Sequence, residues 1–161
     1  MNARESITVW IVEDVAKDAL DAAAVVREVA EEANFDVNLY WDSTLVWDSL
    51  LSGPPPGEYR PGFHKADCPP TVVILDLFAP AGFLAKEFLL KLREFEDNAC
   101  RKRSFVILWS VYTGFEDAQD LIYKEPKRDR KVIFSKSKQP PVLRETLARC
   151  LTKWKEQASY L

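Results

Sequence analysis

TVVILDLFAP, residues 71–80, is the stretch that decides the fold of this chain. Its first five residues are apolar or β-branched without interruption, and Pro69 and Pro70 precede them. A short run of this kind predicts a strand buried on both faces, as in a parallel sheet covered by helices. The run ends on Asp76, and open α/β sheets bind ligands in the crevice beyond the carboxyl ends of their strands. Asp76 is therefore a candidate functional residue, although a single Asp after a strand is more simply explained as a cap.

Length and composition predict one globular domain over residues 1–161. The net charge of −3 is small, so it gives no general reason to expect binding to nucleic acid or to an anionic membrane. The three cysteines are widely spaced and odd in number, which fits reduced thiols in the cytoplasm better than a disulfide framework. The chain has no apolar run long enough to span a membrane and no signal-peptide pattern at its start. We therefore expect a cytoplasmic protein.

Four other segments have the composition of buried or half-buried strands, and helical patterns separate them. The predicted strands are residues 7–12, 35–41, 104–109 and 132–134, in addition to residues 71–75. The predicted helices are residues 18–34, 43–51, 83–98, 115–123 and a last helix that starts at Pro140 and Pro141, where proline is tolerated in the first turn. The proline-rich segment 52–70 is predicted to be a long inserted loop without regular structure.

The order of these elements predicts an α/β fold. Strands and helices alternate five times, and right-handed crossovers between neighbouring units require a parallel sheet with helices on both faces. We predict a flavodoxin-like (βα)5 doubly wound parallel sheet with the strand order 2-1-3-4-5.

In that strand order, polar residues at the ends of four strands meet at one edge of the sheet. They are Glu13 and Asp14 after the first strand, Asp76 after the third, Ser110 after the fourth and Lys136 after the fifth. Crowded carboxylates repel each other unless a cation joins them, and ligands that are all oxygen favour Mg²⁺. A lysine and a hydroxyl beside them are suited to stabilising a transferring phosphoryl group. A carboxylate can itself be the nucleophile, which would give an aspartyl phosphate.

Each of these residues also has a purely structural explanation when it is taken alone. Glu13 and Asp14 suit the start of a helix, where acids interact favourably with the macrodipole, and Ser110 could be a cap. Lys136 by itself would be an ordinary surface lysine. The functional hypothesis depends on all of them meeting at one edge of one sheet.

Four segments together resemble the receiver domain of bacterial two-component response regulators. They are IVED at residues 11–14, VVILDLFAP at 72–80, VILWS at 106–110 and VIFSKS at 132–137. The resemblance covers essentially the whole chain, and Pro80 follows Asp76 at the spacing that is usual in the family. By this resemblance, Asp76 would accept a phosphoryl group, Ser110 would supply the switch hydroxyl and Lys136 would contact the phosphate. The metal ligands it implies for Mg²⁺ are Glu13, Asp14, Asp76 and the backbone carbonyl of Phe78.

The resemblance also implies the partners. A sensor histidine kinase or a phosphotransfer protein would donate the phosphoryl group, and the domain would catalyse only its own phosphorylation and dephosphorylation rather than act as a turnover enzyme. We expect a stand-alone receiver that signals by docking to a target protein or to a second copy, without binding nucleic acid or membrane. The usual docking face is built from helix 4, strand 5 and helix 5, and here it would include residues 115–123, the charged loop after them at residues 124–130, and residues 141–154.

Two other functions remain open. Val111 stands where the family usually has a small residue, and Gly82 follows Asp76 early, so the chain could instead be a receiver-like interaction module that works without phosphorylation. A metal-dependent phosphohydrolase of the haloacid dehalogenase type is disfavoured, because that class needs a second Asp two residues after the nucleophile and this chain has Phe78 there.

Overall fold

A computed structural model of the chain describes residues 4–13, 15–42, 58–59, 70–76, 85–99, 102–109, 125, 131–135 and 138–158. This part of the chain contains six strands and three helices. The strands are β1 (Glu5–Val12), β2 (Phe35–Asp42), β3 (Glu58–Tyr59), β4 (Val72–Leu75), β5 (Phe105–Leu108) and β6 (Val132–Phe134). The helices are α1 (Ala16–Glu32), α2 (Ala85–Asn98) and α3 (Pro140–Ala158). The predicted helices at 43–51 and 115–123 lie outside the described residues.

The strands form one parallel sheet in the order β3-β2-β1-β4-β5-β6. Without the two-residue strand β3, this is the predicted order 2-1-3-4-5, so the prediction of a flavodoxin-like α/β fold is confirmed. The prediction that residues 52–70 contain no regular structure is wrong at Glu58 and Tyr59, which pair with Tyr40 and Trp41 of β2. Two paired residues are too few to produce a periodic pattern, and they cover part of an edge that β2 would otherwise leave open.

The stretch that predicted the fold, β4, lies inside the sheet between β1 and β5. Its four side chains are all buried, which explains why its sequence is continuously apolar rather than alternating. Burial of each such side chain stabilises the fold by roughly 1.5–3 kcal/mol before the loss of conformational entropy is counted.

Helices α1 and α3 pack on the same face of the sheet. Alternate residues of β1, β4 and β5 form one apolar cluster with the small residues of α1 and with Leu143, Leu147 and Cys150 of α3. The intervening strand residues belong to the opposite face and are buried as well, as a doubly wound sheet requires; they include Trp10, Val12, Val73, Leu75, Val106 and Leu108. None of the described helices is long and apolar enough to cross a membrane.

The link between α1 and β2 is a tight turn. Asn34 has a φ of 63°, in the left-handed region that Asn tolerates better than most residues, and its N–H donates to the carbonyl of Glu31. The turn therefore ends α1 and sends the chain directly into β2.

A buried ion cluster lies at the amino end of β5. Arg93 of α2 contacts Glu96 (2.7 Å) and Glu125 (2.5 Å), and it donates to the carbonyl of Ser104 (2.9 Å). Glu96 in turn accepts the N–H of Ser104 at 2.6 Å, and Arg103 contacts Glu125 at 3.0 Å. Because Ser104 directly precedes β5, this cluster fixes α2 against the sheet at the edge opposite to the polar residues predicted from the sequence.

We expect Arg93→Met to lower the free energy of unfolding by about 3–5 kcal/mol, because Glu96 would stay buried without its cation. The matched control is Arg149→Met, which breaks an exposed pair with Glu145 on α3 and should cost less than about 1 kcal/mol. Urea unfolding followed by circular dichroism measures both. Equal effects of the two substitutions would contradict the structural role given to the buried cluster.

Candidate functional site

Four strands end at the same level on the carboxyl edge of the sheet. Val12, Leu75, Leu108 and Phe134 are register partners across β1, β4, β5 and β6. The parallel hydrogen-bond pattern continues for one residue beyond these ends. The N–H of Asp76 donates to the carbonyl of Val12, that of Trp109 to the carbonyl of Leu75, and that of Ser135 to the carbonyl of Leu108, each at 3.0 Å. The side chains that follow the strands are therefore neighbours although they are far apart in the sequence.

Lys138 occupies the centre of the acidic side chains at this edge. Its Nζ lies 2.6 Å from Oε2 of Glu13, 3.1 Å from Oδ2 of Asp18 and 3.4 Å from Oδ2 of Asp76. The lysine side chain is only 6% exposed, and the residues Glu13 and Asp76 are 2% and 6% exposed. One ammonium group therefore faces three carboxyl groups, two of which are almost completely removed from water.

Glu13 is held in this place by the start of α1. The residue before the helix, Val15, has no side chain that can cap it, and its N–H donates instead to Oε1 of Glu13 at 3.1 Å. Glu13 thus contacts the residue that precedes the helix, and this contact does not exclude a further role, because Oε2 of the same carboxyl faces Lys138.

Burial raises the pKa of Glu13, and the nearby charge of Asp76 raises it further, whereas Lys138 and the N–H of Val15 lower it. The outcome is a pKa of about 8. Burial also lowers the pKa of Lys138, but the contact with Glu13 and the charges of Glu13 and Asp76 outweigh that effect and leave it above its ordinary value. The cluster therefore favours positive charge and resists negative charge.

Trp109 forms part of the surroundings of Lys138. It directly follows β5, is fully buried, and has its ring centroid 5.5 Å from Nζ of the lysine. Such a contact favours a cation at this position. Lys138 itself lies two residues before α3, so the helix start and the acidic cluster are joined by a very short connection.

The structure brings together two of the residues predicted from the sequence, Glu13 and Asp76. The other predicted site residues lie outside the described part of the chain; they are Asp14, Phe78, Ser110 and Lys136. Ser110 and Lys136 directly follow Trp109 and Ser135, which are at the carboxyl edge.

Sequence reasoning missed two members of the cluster, Asp18 and Lys138. Lys138 could have been considered, because it lies only two residues after Lys136 in the polar segment that follows the fifth predicted strand. Asp18 gave a weaker signal, since an acid in the first turn of a helix needs no further explanation.

The cluster offers oxygen ligands and requires a positive charge. Carboxylate oxygens are the donor type that hard metal ions prefer, and here Nζ of Lys138 already contacts an oxygen of Glu13 and one of Asp76. Within the described ranges, however, no three His, Cys, Asp or Glu side chains are grouped so that they could hold a metal. Any metal site here would need ligands from the neighbouring residues, such as Asp14.

Comparisons of the chain with protein-family models, with curated proteins and with solved structures gave no match.

In metal-free buffer, we expect the free energy of unfolding to fall as the pH rises from about 5 to about 8, with a slope of up to about 1.4 kcal/mol per pH unit from Glu13. The folded chain keeps a proton on Glu13, whose pKa is about 8, after the unfolded chain has lost it near the model value of 4.5. The stabilising contribution is therefore complete below about pH 4.5 and is lost by about pH 8.

The variant for comparison is Glu13→Gln, whose side chain cannot titrate. Urea unfolding of this variant and of the unchanged protein gives the free energy of unfolding of each at every pH. All other groups titrate in both proteins, so the difference between their stabilities isolates Glu13. A difference that does not change between pH 5 and pH 8 would show that Glu13 is not buried as described.

Proposed function

We propose that this protein is a response-regulator receiver that accepts a phosphoryl group on Asp76. The observation that carries the proposal is the position of Asp76: its carboxyl group follows the buried strand β4, lies in the same cluster as Glu13, and is 3.4 Å from the ammonium of Lys138. A nucleophilic carboxylate beside a second acid and a lysine is the chemistry of aspartyl phosphate formation. The resemblance of the four strand-end segments supports the same function.

The donor would be a phosphohistidine on a sensor kinase or a phosphotransfer protein. An oxygen of Asp76 attacks the phosphorus, the phosphorus–nitrogen bond breaks, and the histidine leaves with the electron pair of that bond and takes up a proton. Lys138 can neutralise the charge that the carboxyl group and the phosphoryl oxygens share, because its Nζ already contacts an oxygen of Asp76. The proposed contributions of Ser110 and Lys136 are the switch hydroxyl and a contact to the phosphate.

Mg²⁺ is the proposed cofactor, and it would offset the repulsion between the carboxyl groups and the incoming phosphoryl oxygens. Glu13 and Asp76 are the described residues that would hold it, together with Asp14 and the carbonyl of Phe78. We place the protein in the cytoplasm, where it would pass the signal to a target protein or to a second copy through the face built from helix 4, strand 5 and helix 5.

A second candidate is a receiver-like interaction module that works without phosphorylation. The observation that favours it is the same Lys138, since its ammonium already neutralises part of the acidic cluster without any metal or phosphate. In this candidate function the acids and the lysine would only stabilise the fold.

Incubation with acetyl phosphate and Mg²⁺ should add one phosphoryl group to the protein, and Asp76→Asn should abolish this addition. The bond should be labile to hydroxylamine and base, because an acyl phosphate is an activated carboxyl derivative. Intact mass and peptide mapping measure the modification. The control is Asp36→Asn, which replaces an exposed acid at the other edge of the sheet. This variant should be phosphorylated to the same extent as the unchanged protein.

The absence of phosphate on Asp76 with both a small donor and a phosphorylated histidine protein would contradict the first function. Full complementation of a deletion strain by Asp76→Ala would then favour the interaction module. Loss of complementation by the same variant, with normal folding, would favour the phosphoryl acceptor.

A further inference from the structure

Strand β2 is paired along its whole length on one side and only in part on the other. On its inner side it pairs with β1 over all eight residues, from Phe35 to Asp42. On its outer side β3 pairs with Tyr40 and Trp41. Within the described part of the chain, residues 35–39 have no neighbouring strand on that outer side. The backbone groups of an open edge like this one are a template on which another strand can pair.

This open segment has few of the features that normally protect the edge of a sheet. Residues 35–39 are FDVNL, without lysine, proline or glycine, and their pairing with β1 is continuous, without a bulge. Val37 and Leu39 pack against the apolar cluster but are only partly buried, whereas Asp36 and Asn38 are exposed. The edge is therefore accessible and partly apolar, and Asp36 supplies the one charge of the segment.

The open segment is complementary to itself when two copies run antiparallel. With a two-fold axis at Val37, this residue lies opposite its own copy, and Asp36 lies opposite Asn38 of the second copy. The amide group of the asparagine can then donate a hydrogen bond to the carboxylate. On the other face Phe35 lies opposite Leu39 of the second copy, so an apolar pair continues the apolar face of the sheet. A contact between identical surfaces is what a two-fold dimer requires.

Two observations select this register. An axis at Asp36 would place that acid directly opposite its own copy, and like charges in this position are destabilising. An axis at Asn38 would bring Asp36 of the second copy opposite Tyr40, where β3 already occupies the outer side. The short strand β3 therefore limits the open segment, and Val37 is the centre of what remains.

We propose that residues 35–39 form a homodimer interface in which two copies pair antiparallel about a two-fold axis at Val37. The dimer joins the two sheets into one continuous sheet. This inference goes beyond the proposed function and does not depend on it, because no residue of the phosphoryl-acceptor site takes part. It also differs from docking through the face built from helix 4, strand 5 and helix 5. Five residue pairs make a small interface, so the dimer is weak and reversible.

The test is sedimentation equilibrium of the full chain without phosphoryl donor or added metal, at concentrations up to about 1 mM, so that weak association is detected. The average mass should rise from that of one chain to that of two. Asn38→Asp should raise the dissociation constant of the dimer about tenfold, because it places carboxylates opposite each other at two symmetric positions. Asn38→Lys should lower it by a similar factor, since each new ammonium would face Asp36 of the other copy.

The matched controls are Asn98→Asp and Asn98→Lys. They make the same changes at an exposed asparagine at the end of α2 and should leave the dissociation constant unchanged. Because Asn38 is exposed and pairs with β1 through its backbone, the variants at position 38 should fold as the unchanged protein does. Circular dichroism checks this for all four variants.

A second measurement uses only the unchanged protein, so it decides the question even if a variant does not fold. Hydrogen exchange at low and high protein concentration should show severalfold slower exchange at high concentration in residues 35–39. Exchange in residues 132–134, which form β6 at the other edge of the sheet, should not depend on concentration.

Three results would overturn the proposal. They are a mass that stays that of one chain up to about 1 mM, a dimer whose concentration-dependent protection lies outside residues 35–39, and equal effects of Asn38→Asp and Asn38→Lys. Protection of this edge by a different protein alone would also show that its occupant is not a second copy. A failure of Asp76 to accept phosphate would leave the dimer unaffected, and a monomeric protein would leave the phosphoryl acceptor unaffected.

Discussion

The common end level of four parallel strands is the constraint on which the candidate site depends. Parallel pairing aligns β1, β4, β5 and β6 so that their last residues are register partners, and backbone hydrogen bonds carry the alignment one residue further. Glu13, Asp76 and Trp109 therefore come from separate parts of the chain but meet at one edge. A shift of one residue in any of these pairings would turn the side chains at that edge to the other face of the sheet.

The two ends of the sheet neutralise buried charge differently. At the amino end of β5, Arg93 and Arg103 face Glu96 and Glu125, so the formal charges of these four side chains cancel. At the carboxyl edge, the single ammonium of Lys138 faces Glu13, Asp18 and Asp76, and the pKa of Glu13 rises to about 8 as a result of burial and of Asp76. The first cluster is balanced, as a structural ion network should be, whereas the second contains three carboxyl groups for one ammonium group.

Most of the fold could be predicted because its signals are local. The apolar run of β4, the helical spacing in α1 and α3 and the prolines at the start of α3 each follow from a few neighbouring residues, and crossover rules then restrict the strand order. The short strand β3 could not be predicted, since two residues inside a proline-rich segment carry no pattern and pair only because β2 presents an open edge beside them. Glu13 could be predicted as a site residue in the same way as Asp76, because each of these acids directly follows a strand.

The sequence alone therefore determined the fold class, the strand order and the meeting of Glu13 with Asp76, since these depend on hydrophobic pattern and on the connection rules of parallel sheets. Only the tertiary structure showed that Lys138 contacts these acids. The place of Lys138 depends on where α3 begins, two residues after it, and a sequence pattern does not fix that point to within one residue. The tertiary structure also decided that the acids are buried, and burial is what makes a neutralising cation at this edge necessary.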